Sequence, residues 1–237
     1  QGSYWSDVTV RSDEGSPTIQ PSVYRTVGID IAAIRQVLDA APHEKDASAR
    51  NSSAVIELPM PDGTMELFSF VNSPVMAPEL ADKYPEIQVF VGQGISDPSS
   101  VVRFDLTPQG FHAMILRSES TVYIDPFTSG DLTKCISYTK DSFYQNTDKQ
   151  LEGCVVKEGH LGEVIQKSIN TIQTPESVKS KPQVLQMGIQ KSMMVSNGST
   201  LRTYRLALAC TGEYAQYHGG TVAGVLAAMN TSMARVN

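Results

Sequence analysis

Alternating apolar and polar positions dominate the first half of the chain. Val55 and Glu57 on one side, and Met65, Leu67 and Ser69 on the other, flank Pro61, Asp62 and Gly63. This predicts a hairpin over 54–71 with Asp-Gly at its turn. Further short strands are expected over 88–91, 101–106, 111–116 and 121–124, divided by Gly94, Pro98, Pro108-Gln109-Gly110 and the serines at 118 and 120. Strands joined by turns in series predict an antiparallel, curved sheet. Ahead of it, the first 20 residues read as a short strand near Trp5 and a polar loop. At Ile29, Ile31, Ile34, Val37 and Leu38 the spacing changes to three and four, predicting a helix near 30–40 with Asp30 as N-cap and Pro42 as its stop. Pro78 to Tyr84 has room for one or two helical turns before Pro85.

From about Asp125 to Ser199 the alternation fades. Lys, Ser, Thr, Gln and Asn dominate, and Pro175 and Pro182 interrupt. Loops this long inside a compact domain are uncommon, so a linker is expected, with Lys179 and Lys181 marking an exposed candidate processing tract. Apolar order returns at Leu201, Tyr204, Leu206, Ala207, Leu208 and Ala209, read as a strand. Val222, Val225, Leu226, Met229, Met233 and Val236 then fall at helical spacing. A strand followed directly by a long helix is how an α/β domain begins. The expected class is α+β, with a strand-rich domain over 1–157, a linker or processing region over 158–199, and the start of a second domain over 200–237.

Composition narrows the function classes. Of 237 residues, 41% are hydrophobic and 19% charged, enough to bury a core. The net charge is -6 and the 19 Lys and Arg are scattered, which argues against a nucleic-acid partner. No run approaches the roughly 18–20 apolar residues of a membrane span, and the polar, aromatic start lacks the features of a signal peptide. We expect a soluble piece whose signal peptide has been removed. Three cysteines, Cys135, Cys154 and Cys210, leave two readings open: a Cys135–Cys154 disulfide, pointing to export, or three buried free thiols.

Candidate chemistry is sparse. His43-Glu44-Lys45-Asp46-Ala47 begins like H-E-x-x-H but has Ala47 where the second imidazole must stand, so it reads as solvated surface. His112, His160 and His218 have no ligand spacing among them. There is no nucleophile elbow or phosphate loop. Gly92-Gln93-Gly94 reads as a tight turn, Asp125 before Pro126 as a turn former, and Glu213 as support for the last helix.

The segment Leu201-Arg202-Thr203-Tyr204-Arg205-Leu206-Ala207-Leu208-Ala209-Cys210-Thr211-Gly212-Glu213-Tyr214, then His218-Gly219-Gly220-Thr221 and the stretch through Met233-Ala234-Arg235-Val236-Asn237, resembles the opening of a reprolysin-like zinc metallopeptidase, closest to secreted bacterial members. Leu58 to Gly63, Ser73 to Leu80, Lys83 to Ile87 and Gly110 to Ala113 resemble the propeptide of the same proteins. The resemblance implies a secreted or cell-surface zymogen. Its pro-region would aid folding and block the active site of its own catalytic domain in cis, with the final segment as the first strand and helix of a metzincin-type domain. It also implies zinc in the parent catalytic domain, held by an extended H-E-x-x-H motif that no part of this chain matches, so that motif is expected beyond Asn237. No catalytic or metal residue carries over. Some relatives inhibit through a propeptide cysteine on the zinc, for which Cys135 and Cys154 are the candidates by position, whereas steric blocking needs neither. The competing reading is a cell-surface or secreted β-rich binding or adhesion module. The alternation of Trp5, Phe68, Phe70, Phe90 and Phe111 as core residues argues against it.

Overall fold

The computed structural model describes residues 4–10, 15–145 and 206–236. Residues 1–149 and 208–237 form one compact unit and residues 150–207 another, whose described residues are Leu206 and Ala207.

Nine strands form a single antiparallel sheet. They are β1 (Trp5–Asp7), β2 (Arg25–Ile29), β3 (Val55–Pro59), β4 (Met65–Asn72), β5 (Gln88–Gly94), β6 (Val101–Thr107), β7 (Gly110–Leu116), β8 (Val122–Pro126) and β9 (Lys134–Thr139). From β3 to β9 each strand pairs with the next, and β2 and then β1 join beside β9. The expected curved antiparallel sheet of an α+β fold is present, curled into a nearly closed barrel.

The two ends of the strand order, β1 and β3, are joined by side chains. The Tyr4 hydroxyl accepts from the Glu57 N–H at 2.6 Å, and the Trp5 indole donates to the Glu57 carbonyl at 2.7 Å. Arg25 donates to the Met60 and Thr64 carbonyls, and Ser137 Oγ to the Pro59 carbonyl. Unpaired backbone at a sheet edge invites pairing with other chains, and these bonds satisfy it locally.

Alternation sends one face of every strand inward. Phe68, Phe70, Phe90, Phe104 and Phe111 are completely buried there with Ile56, Leu58, Val102, Leu106 and Ile115. Phe90 and Phe104 stack with centroids 5.0 Å apart, and Trp5 meets Phe111 edge-on at 5.5 Å. Helix α1 (Ile31–Asp39) adds Ile34 and Leu38 to this core. Its start is as predicted, with Asp30 accepting from the Ala33 N–H. The hairpin turn also stands as predicted: Asp62 Oδ1 accepts from the Thr64 N–H and hydroxyl, and Gly63 takes φ 94°, a conformation that favours glycine. Helix α2 (Pro78–Ala81) fills the short helical slot before Pro85.

Three expectations are corrected. The region from Asp125 does not lapse at once into linker, because β8 runs to Pro126 and is followed by β9 and α3 (Lys140–Gln145). The polar letters of β9 conceal a strand buried on both faces, with Cys135 and Ser137 inside and Ile136 and Tyr138 outside. Gly92-Gln93-Gly94 is not a turn but the end of β5. A Cβ on Gly92 would stand 2.8 Å from Val102 Cγ1 and 3.0 Å from the Ser69 carbonyl, so close strand packing is what needs the glycine. The described part of the expected strand over 201–209 is irregular and exposed from Leu206 onward. A strand exists only through a hydrogen-bonded neighbour, and among the described residues none pairs with it. Residues 201–205 lie outside the described residues.

After Ala209 come α4 (Gly212–Tyr217), capped by the Thr211 hydroxyl, and α5 (Val222–Val236). Helix α5 packs on the outer face of the sheet, over β5 and β6.

Candidate functional site

An antiparallel sheet commonly buries one face and wets the other, so carboxylates opposite the core should lie in water. Asp105 on β6 and Asp125 on β8 both belong to the outward set, yet they are 1% and 3% exposed. Helix α5 covers them. Thr231 Oγ1 donates to Asp105 Oδ1 at 3.0 Å, and Arg235 forms an ion pair with Asp125 Oδ1.

Sheet neighbours complete both sites. Asp105 stands opposite His112 in the ladder, and its Oδ1 lies 3.0 Å from His112 Nδ1. Asp125 Oδ2 accepts from the Tyr138 hydroxyl at 2.8 Å. Tyr123 stacks on Tyr138, and the Arg235 guanidinium lies 5.4 Å from the Tyr123 ring centroid. At the other end of α5, Gln109 donates to the Gly224 carbonyl at 3.0 Å. Burial works against the Arg235 charge, but Asp125 first and Asp105 after it outweigh that, raising its pKa.

The helix contributes little bulk to this joint. Its buried residues are Ala227, Ala228, Asn230 and Ala234, whereas Val222 and Val236 are exposed. The larger apolar side chains Met229 and Met233 instead line an open groove of roughly 380 Å³ with Leu208, Ala209, Cys210 and Tyr214. Some polar groups at the joint lack partners: Asn230 Oδ1 and Arg235 Nε are buried with no hydrogen bond among the described residues. A group left this way costs about 1–3 kcal/mol, which weakens the joint below what full pairing would give.

The residues singled out from the sequence fall elsewhere or take other roles. Cys135 is a free, fully buried thiol on β9, inside the barrel. Burial, and then the negative charge of Asp125, pushes its pKa up, so it is held as the thiol and not as the thiolate that would bind a metal. Cys154, His160, Lys179 and Lys181 lie outside the described residues. Cys210 is free and exposed. Asp125 is no turn former but a buried strand residue holding two partners. Glu213 sits in the first turn of α4, where backbone N–H and the Thr211 hydroxyl lower its pKa. His218 ends α4 between the rings of Tyr214 and Tyr217. In the His43 segment, Glu44 accepts from Ser73 Oγ. Among the described residues no three His, Cys, Asp or Glu side chains gather as a metal site, so these residues do not fit zinc. What sequence reading missed was the pairing of outward acids on β6 and β8 with Thr231 and Arg235, one helical turn apart on α5. The one available signal was a hydroxyl and a guanidinium on the helix's small-residue face.

Proton linkage gives a pH prediction. Burial, then Asp125, raises the pKa of the Tyr138 phenol and the Cys135 thiol above their ordinary 10.0 and 9.0. The folded protein therefore keeps protons that the unfolded chain releases. Stability from these groups is complete below about pH 9 and falls as pH rises further, by about 1.4 kcal/mol per pH unit for each group ionised only in the unfolded chain. Urea midpoints measured from neutral to strongly alkaline pH should show this decline. The Cys135→Ala protein should lose stability less steeply just above pH 9.

No family model matches the chain, and no curated protein and no solved structure matches it.

Proposed function

We propose that this chain is the pro-region of a secreted zinc metalloendopeptidase zymogen joined to the first elements of its catalytic domain, and that the barrel serves as folding aid and active-site-blocking inhibitor. The observation that carries the reading is the joint between α5 and the sheet. The helix within the segment resembling a catalytic-domain opening is seated on the barrel that resembles the propeptide, through two buried acids of the barrel. A pro-region that guides folding must bind part of the domain it guides, and this joint is such a contact. The filled barrel interior, with five fully buried phenylalanines, speaks against an internal ligand. Zinc and the hydrolytic step belong to the parent catalytic domain, so no residue described here has a catalytic role in the proposal.

The test supplies the chain in trans to the catalytic domain encoded downstream of it and follows cleavage of a fluorogenic peptide. Dose-dependent inhibition is expected, with no hydrolysis by the chain alone. No inhibition, or a parent reading frame without H-E-x-x-H, overturns the proposal.

A further inference from the structure

We infer that the outer face of β6–β8 is a helix-recognition surface, in which Asp105 and Asp125 select a helix carrying a hydroxyl and a guanidinium four residues apart on a small-residue face, and that it holds α5 as a separable ligand. The inference deepens the zymogen reading by naming the surface through which barrel and partner meet, and rests on that reading only for its biological purpose.

The way α5 presents its faces supports separability. A helix built into a core turns its large apolar side chains inward. Helix α5 does the reverse, giving the sheet Ala227, Ala228 and Ala234 while Met229 and Met233 face the groove with Leu208 and Tyr214. The small side chains bring the helix backbone close to the sheet, and polar contacts supply the selectivity. Three points span the helix: Gln109 on the Gly224 carbonyl, Asp105 on Thr231 and Asp125 on Arg235.

The surface selects through the cost of a mismatch. A partner without the guanidinium would leave Asp125 buried beside the Tyr138 hydroxyl without its countercharge. A partner with a large residue at position 227 or 234 would stand off from the sheet and break all three contacts. A carboxylate at 231 or 235 would meet Asp105 or Asp125 directly, so acidic helices are rejected. His112 and Tyr138, on the sheet's side of each acid, orient the two carboxylates.

The experiment uses the full chain with a specific protease site inserted within residues 150–207, cut after purification and run on size exclusion at successive dilutions. The wild-type C-terminal piece is expected to stay with the barrel piece. Arg235→Ala should weaken retention about tenfold to a hundredfold, as truncating one member of a buried charged pair does, with the low end reflecting the 26% exposure of the Arg235 side chain. Thr231→Val should weaken it about fivefold, and Arg235→Lys should fall between Arg235→Ala and wild type. Val236→Ala, at an exposed position, should retain like wild type. Emission from Trp5, buried against Phe111, reports the barrel fold separately in every sample. Separation of the wild-type pieces as soon as the chain is cut would overturn the inference, and so would retention of the Arg235→Ala piece as tight as wild type. Either result leaves the zymogen reading to its own inhibition assay. Tight, Arg235-dependent retention in a chain that inhibits nothing would uphold the surface and defeat that reading.

Discussion

Replacing Phe104 with alanine is expected to lower the unfolding free energy by about 3–5 kcal/mol, the range for deleting a large aromatic from a packed core. Phe104 is completely buried at the centre of the aromatic cluster, with ring centroids 5.0 Å from Phe90, 5.3 Å from Phe70 and 5.9 Å from Phe111. Its neighbours are strand residues fixed by ladders on both sides, so they can collapse only partly into the space left. With total stability for a domain usually about 5–15 kcal/mol, the variant should be marginal. Urea unfolding followed by Trp5 emission reads it directly, because Trp5 contacts the same cluster through Phe111. A loss under about 1 kcal/mol would mean that the core is not packed as described.

The second large effect is expected at the joint. Asp125→Ala removes the partner of Arg235 and the acceptor of the Tyr138 hydroxyl together. Stranding a buried charge costs about 3–5 kcal/mol, and the partial exposure of Arg235 places this case near 3. At this chain length that corresponds to a melting temperature lower by roughly 6–12 °C. Asp125→Asn keeps an acceptor for Tyr138 and should cost about half as much. The double variant Asp125→Ala with Arg235→Met should be more stable than Asp125→Ala alone, since it strands no charge. Thermal denaturation of wild type, Asp125→Ala, Arg235→Met and the double variant forms a double-mutant cycle. Additive losses would show that Asp125 and Arg235 do not act together.

Much of the barrel is legible in the chain. The Asp62-Gly63 turn, the Asp30 cap and the alternation through β3 to β8 each rest on a local preference that tertiary structure reinforces. Strand β9 is not legible because its polar members are satisfied at a distance: Ser137 bonds to Pro59 across the barrel and Tyr138 bonds to Asp125. Local patterning has no means of marking a serine as buried when its acceptor is 78 residues away. For α5, apolar spacing marks the helix correctly but points to the wrong face. Val225, Met229 and Met233 define the periodicity, whereas Ala227, Ala228, Asn230 and Ala234 are what the sheet buries.

The candidate site was less visible still. From the sequence, His112 reads as a strand residue without ligand spacing and Asp125 as a turn former, and no motif marks Asp105. Outward positions on a strand are normally wet, and only a helix arriving from more than a hundred residues downstream buries these acids and gives them partners. Cys135, a candidate by position, is by contrast enclosed by the barrel it helps to fill.

By itself, then, the sequence determined the antiparallel sheet, its inward aromatic face and the helices at 31–39 and 222–236, because side-chain periodicity and turn chemistry act over a few residues. Tertiary structure alone decided the side-chain closure of the barrel, the burial of β9 on both faces, and the meeting of Asp105 and Asp125 with Thr231 and Arg235. Each depends on groups distant in the chain, whose burial is tolerable only when both partners arrive.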